Sequence, residues 1–370
     1  MNNEKIIINS RQFRAIVICL TWPTIINYGS GFLARETGRD MWLSGLISIL
    51  TTMLFVYIVI HMGRNYPGKT IVEYSHDLLG SILGKMLGVM LALYFAVSAA
   101  ISVSMYIQHL TDFLLPETPY LVVTIMHISV ICYMIWRGSE VIGRIATIAL
   151  FLTGIFYFLI VIAALPEFEI SRLMPLFSSG VVAVSKASLS ADSFIGMIQV
   201  VVAMMLPMVA NQSKSFRPAA TGLLIGGSLF VIYFIAEIMV MGPQLVAVMR
   251  IASMDLVRSI QITQYLHRFE SFMVALWYWS ILVQAGILAS CSLKAFQQTV
   301  GIKKDKIYII LLFGLLLGII THYIGQNRIF FQVFREHQWE YIALSFQYVL
   351  PVILLIVMTI KKQFTSSQQT

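Results

Sequence analysis

Long uncharged stretches alternate with short charged connectors along this chain. Ten stretches of at least 19 residues lack Asp, Glu, Lys and Arg: 15–34, 41–63, 86–111, 118–136, 145–166, 193–213, 218–236, 271–293, 307–327 and 341–360. All are rich in Leu, Ile, Val, Phe and Met. A bilayer core needs ~20 apolar residues of helix, and backbone groups in hydrocarbon must be paired within their own segment. The pattern predicts ten transmembrane helices in an all-α integral membrane protein. The next longest uncharged run, 173–185, has 13 residues and is too short to cross. Barrel strands, which alternate over ~10 residues, do not fit.

Ten spans divide into two halves of five that would insert with opposite orientation, as in inverted-repeat transporters. The expected organisation is a single transmembrane domain, 1–370, with a first repeat over 12–166 and a second over 193–360. Three spans carry an internal proline: Pro23 in span one, Pro207 in span six and Pro351 in span ten. Proline removes a backbone donor and clashes with the carbonyl four residues back. A kink is one reading. The matching places of Pro23 and Pro207 in the two halves favour two broken helices around a central site. Span one reads Thr21-Trp22-Pro23-Thr24-Ile25-Ile26-Asn27-Tyr28-Gly29, with Thr21, Thr24 and Tyr28 on one helical face. The expected ligand site comprises Thr21, Trp22, Pro23, Thr24, Asn27 and Tyr28. Tyr94 and Ser98 of span three, Met204 and Pro207 of span six, and Trp277 and Ser280 of span eight would line the rest.

Interhelical hydrogen bonding is the plainer reading of the Tyr94/Ser98/Ser102 stripe, and a hydrogen-bonded bundle residue the plainer reading of His127. Gly84/Gly88, Gly222/Gly226 and Gly314/Gly318 are read as close-packing pairs. Glu237, Arg268, Glu270, His61, His109 and His322 lie near span ends and are expected to reach water; no Asp or Glu is expected at mid-depth. Segment 251–270 has apolar positions at helical spacing and reads as an amphipathic helix over the outer mouth.

Composition agrees: 58% of residues are hydrophobic and 11% charged, against about 25% charged in soluble domains. That excludes a soluble enzyme, and no nucleophile elbow, phosphate loop or HExxH appears. The three cysteines have no metal-type spacing. No enzyme activity, cofactor or metal is expected. The net charge of +8 reflects orientation rather than nucleic-acid binding. With the N-terminus inside, Lys and Arg divide 16 inside to 9 outside, which predicts two cytoplasmic termini.

Several ordered stretches resemble the spore germination permease family, B subunits of nutrient-germinant receptors within the amino acid–polyamine–organocation (APC) transporter superfamily. They are Gly38-Arg39-Asp40-Met41-Trp42, Pro67-Gly68-Lys69-Thr70-Ile71-Val72-Glu73-Tyr74 with Gly80 and Gly84, Arg137-Gly138-Ser139-Glu140 with Arg144, Leu266-His267-Arg268-Phe269-Glu270 before Trp277, and Phe346-Gln347-Tyr348-Val349-Leu350-Pro351. His267 departs from the family's Glu, and Pro23-Thr24-Ile25 occupies positions where the family carries glycines. The resemblance implies a LeuT/APC-like fold with helices one and six broken, and a small nutrient, an amino acid or similar, as ligand. It also implies A-type and C-type partner subunits and the spore inner membrane. By the same resemblance, 251–270 would close over the site as a lid. A secondary amino-acid or solute transporter and a passive pore are the alternatives.

Overall fold

The computed structural model describes residues 8–24, 30–259, 269–302 and 306–367. Among these, nine helices are long and apolar enough to cross a membrane. They correspond to spans two to ten. Of span one, the structure describes the helices Ser10–Thr21 and Ser30–Thr37; the first is too short to count alone and the second runs on into span two as Ser30–Arg64, so the count among the described residues is nine rather than ten. The first piece ends at Trp22, immediately before Pro23. The regular helix therefore stops beside Pro23, with Trp22 as a turn residue and Pro23 and Thr24 helical again. Asn27 and Tyr28 fall outside the described residues.

Span two is Met41–Arg64, span three Ser81–Phe113, span four Tyr120–Arg137 and span five Ser139–Ala164. Span six runs Gly180–Ile195, turns at Gly196, and resumes Met197–Met205. Its first two turns and more lie outside the uncharged run 193–213, because Lys186 and Asp192 are inside the helix. The interruption is at Gly196 and not at Pro207, which sits in a terminal 3-10 turn, Leu206–Met208. Pro207 stands in the first turn of that 3-10 piece, where the N–H that proline lacks would have no partner in the turn. Span seven is Phe216–Met241, span eight Phe269–Val300 and span nine Ile307–Gln326. Span ten runs from Arg328 to Ser367 with two π turns, Arg335–Trp339 and Ser345–Val349, the second just before Pro351.

The glycine pairs are packing devices. A Cβ at Gly222 would meet the Arg14 carbonyl at 2.9 Å, and one at Gly226 would meet Thr21 at 2.9 Å, so span seven lies directly on span one. Gly314 faces Cys132 and Ile128, and Gly318 faces Ile128, joining spans nine and four. The family-like motifs are structural as well. Asp40, fully buried, accepts hydrogen bonds from the Phe177 and Ser179 amides at 2.9 Å each and from Ser178 Oγ at 3.2 Å. It pins the segment that leads into span six. Thr70 and Glu73 form a capping box on the helix Ile71–Leu79.

Candidate functional site

Two cavities adjoin at the span-six interruption. The larger, about 530 Å³ of empty space, is lined by Thr24 and Phe32 of span one, Ser190, Ser193 and Phe194 of span six, and Arg335 and Glu340 of span ten. The smaller, about 260 Å³, is lined by Tyr94, Ser98 and Ser102 of span three together with Ser193, Phe194 and Trp339. Ser193 and Phe194 belong to both. The site therefore lies among spans one, three, six and ten, with apolar rings as walls and hydroxyls, Arg335 and Glu340 as polar contacts.

Gln347 crosses the site's floor. Its Nε2 donates to Tyr94 OH and to the Ser193 carbonyl, each at 3.0 Å, and Gln199 Nε2 donates to the Gln347 carbonyl. The second π turn of span ten carries Gln347; the i→i+5 bonding there takes in one extra residue and aims it at the broken helix instead of along its own flank. The gap in span six is small enough for this side chain because residue 196 is glycine: a Cβ there would lie 2.5 Å from Gln347 Oε1. Trp339 stacks on Tyr94 with ring centroids 5.8 Å apart and planes parallel to 1°.

The structure brings together only part of the expected set. Thr24 lines the larger cavity, its hydroxyl donating to the Thr21 carbonyl. Tyr94 and Ser98 line the smaller one, and Ser98 Oγ donates to the Tyr94 carbonyl at 2.7 Å. Thr21 donates to the Val17 carbonyl and packs on Gly226. Trp22 is buried edge-on against Tyr157 and Gly154, and Pro23 is buried beside it. The other four lie elsewhere. Met204 is core, and Pro207 lies beyond it at the end where Ile8 donates to the Met208 carbonyl at 2.8 Å. Trp277 joins a ring cluster with Tyr106 and His109, at 5.5 and 5.2 Å. Ser280 donates to Thr153 Oγ1 of span five at 3.0 Å.

Other expectations need correction. Asp192 sits midway along span six, fully buried, contrary to the expected absence of mid-depth carboxylates. Ser48 Oγ of span two donates to Asp192 Oδ1 at 2.5 Å, and Thr51 Oγ1 lies 3.0 Å from Oδ2. Glu237 and His109 are buried rather than reaching water. His127 is a bundle residue, its Nδ1 2.8 Å from the Val123 carbonyl. Arg268 and the Glu270 side chain lie outside what the structure describes. Within 251–270, the structure describes a helix Ala252–Ser259 with Ala252, Met254, Leu256 and Val257 buried, packed against spans one, five, seven and eight; residues 260–268 lie outside the described residues.

The family model described as "Spore germination protein" matches residues 8–329. The chain belongs to the spore germination protein family. Spore germination protein KB of Bacillus subtilis (strain 168) is 23% identical over 97% of this chain and 96% of that protein. Spore germination protein YndE of the same strain is 25% identical over 64% of this chain and 66% of YndE. Among solved structures, a variant of the Eremococcus coleocola manganese transporter superposes with a TM-score of 0.63 at 11% identity, covering 97% of this chain and 86% of that one. MhsT in complex with L-phenylalanine gives 0.59 at 15% identity, covering 94% and 97%. The protein thus has the LeuT/APC-like transporter fold with helices one and six interrupted. It is an integral membrane protein of a permease-like family rather than of an enzyme class.

Proposed function

We propose that this protein is the transporter-like membrane subunit of a spore nutrient-germinant receptor. It binds a small nutrient, an amino acid or similar, between the interrupted spans one and six, and signals through A-type and C-type partner subunits to trigger germination. In this reading it resides in the spore inner membrane with both termini cytoplasmic, and residues 12–166 and 193–360 are inverted repeats. The carrying observation is the pair of adjoining cavities that share Ser193 and Phe194 beside the span-six interruption, walled by rings and dotted with the hydroxyls of Thr24, Ser98 and Ser193. Interrupted mid-membrane helices leave backbone groups for a polar ligand, and apolar walls with few polar groups suit a small organic molecule. The ligand contacts proposed are Thr24, Tyr94 and Ser98, with Trp22 and Pro23 shaping the break and Asn27 and Tyr28 continuing it. MhsT, of the same fold, is bound to L-phenylalanine in its structure, which supports an amino-acid-sized guest.

The test is a germination assay on spores carrying Thr24→Phe with Ser98→Phe, against a panel of L-amino acids and sugars. The response should fall at least about tenfold while the A- and C-type subunits still co-purify. A wild-type response from the variant at normal abundance refutes the reading. The fold shared with two solute transporters supports a second reading, secondary transport by alternating access. Uptake of a radiolabelled panel amino acid into vesicles holding this subunit alone would separate the two.

A further inference from the structure

A second site is built at the feet of three helices, away from the central cavity. Ser10 opens span one, Arg64 closes span two, and Phe216 opens span seven. Between them a cleft of about 1120 Å³ is lined by Arg11, Arg14, Arg64, Lys214 and Arg217, with Thr221 on its wall and no Asp or Glu. Among the described residues, none of the five cations is in an ion pair. Neither helix that starts here has an acidic residue in its first turn, so the partial positive charge of two helix N-termini adds to five full charges. Topology alone accounts for basic residues dispersed along the cytoplasmic ends of spans. It does not account for five converging on one cleft without a counter-ion.

Above the cleft the surface turns apolar. Leu50, Leu54, Tyr57, His61 and Arg64 follow one another at helical spacing on span two, and Leu50, Leu54 and Tyr57 are 55%, 56% and 49% exposed. Arg217, Thr221 and Leu224 do the same on span seven, with Leu224 47% exposed. Tyr57 meets Phe216 edge-on at 5.4 Å, tying the two tracks at the boundary between the charged and apolar zones. A free anion needs only the cleft. A ligand with a phosphate head and hydrocarbon tails uses both parts.

We propose that this cleft is a binding site for an anionic phospholipid, with the phosphate held among Arg14, Arg64 and Arg217 and the acyl chains lying along spans two and seven. The bound lipid clamps the start of span one to its neighbours. It does so one helix length from Pro23, where span one is interrupted.

The test uses the full chain in a neutral detergent, titrated with short-chain phosphatidylglycerol, the matching phosphatidylcholine, and glycerol phosphate. Phosphatidylglycerol should bind tightest, and more weakly as salt rises. Each basic residue near an anionic membrane surface is worth about fivefold in binding. The variant Arg64→Gln/Lys214→Gln/Arg217→Gln, altered only at exposed residues, should therefore bind about a hundredfold more weakly. Thermal unfolding in phosphatidylcholine checks that it is folded. A control variant, Lys85→Gln/Arg137→Gln, also at exposed positions, should bind as wild type. Equal binding of the two lipids, or equal losses in both variants, overturns the site. Glycerol phosphate binding as tightly as the lipid overturns the lipid assignment in favour of a soluble anion.

Discussion

Gly196→Ala tests whether the interruption in span six is held by Gln347. The new methyl would lie 2.5 Å from Gln347 Oε1 and 2.9 Å from its Cδ, closer than carbon and oxygen tolerate. Gln347 must withdraw, giving up its 3.0 Å bonds to Tyr94 OH and the Ser193 carbonyl. Interhelical hydrogen bonds in membranes average ~0.6 kcal/mol, so the two lost bonds account for about 1 kcal/mol. Crowding against the Asp192 carbonyl, 2.8 Å from the same methyl, adds about 1 kcal/mol more. The single substitution should cost about 2 kcal/mol. Gln347→Ala alone loses the same bonds, about 1 kcal/mol, and removes the clash with Gln347 but not the crowding against the Asp192 carbonyl. The double variant should then cost about 2 kcal/mol rather than the additive 3, a coupling of about 1 kcal/mol. Denaturant unfolding of purified protein in mixed micelles measures all four corners of the cycle. Costs that add to within ~0.4 kcal/mol, the behaviour of independent sites, would refute the contact.

Asp40→Ala removes the acceptor for two amides and a hydroxyl at the entry to span six and should destabilise the protein by about 2–3 kcal/mol, read by the same unfolding assay. Thr70→Ala breaks the capping box of Ile71–Leu79 and should cost about 1 kcal/mol, with faster amide exchange confined to that helix. Burial raises the carboxyl of Asp255 above its ordinary value, against the smaller opposing pull of Arg258. A folded-state value raised above the unfolded one gives stability that is full in acid and lost as pH rises through the carboxylate range. Asp255→Asn should therefore flatten the fall in stability as pH rises through that range, and an unchanged pH profile would dismiss the effect.

Spans two to five and seven to nine were legible because their charges lie toward their ends, outside the long uncharged runs, even where one of them, Glu237, is buried. Span six was not. Lys186 lies 3.8 Å from Glu36 of span one, and Asp192 is satisfied by Ser48 of span two, so both charges are tolerated within a helix that a charge-free window truncates. That truncation moved the apparent centre of the span toward Pro207 and hid Gly196, whose role depends on a side chain 151 positions away in sequence. The interruption in span one was readable because proline acts locally. Tyr94 and Ser98 were found from a polar stripe, which fixes a helix face. Trp277 and Ser280 had the expected depth but turn toward spans three and five. Gln347 stood in a recognised stretch, yet its aim comes from a π turn that periodicity of 3.6 cannot register.

The two π turns of span ten also amount to stored rotation. Each holds one residue more than an α turn would, and one residue is ~100° of azimuth and ~1.5 Å of rise. Relaxing the second to regular helix would swing Gln347 out of the break in span six without unfolding a single turn; relaxing the first would carry Trp339 off the face of Tyr94. Span ten is thus geared like a ratchet, with two teeth against the site. Its position can be followed by the difference in fluorescence between the protein and its Trp339→Phe variant, needed because the chain has six tryptophans; that difference should change on ligand addition if a tooth slips and stay constant if span ten is a fixed wall.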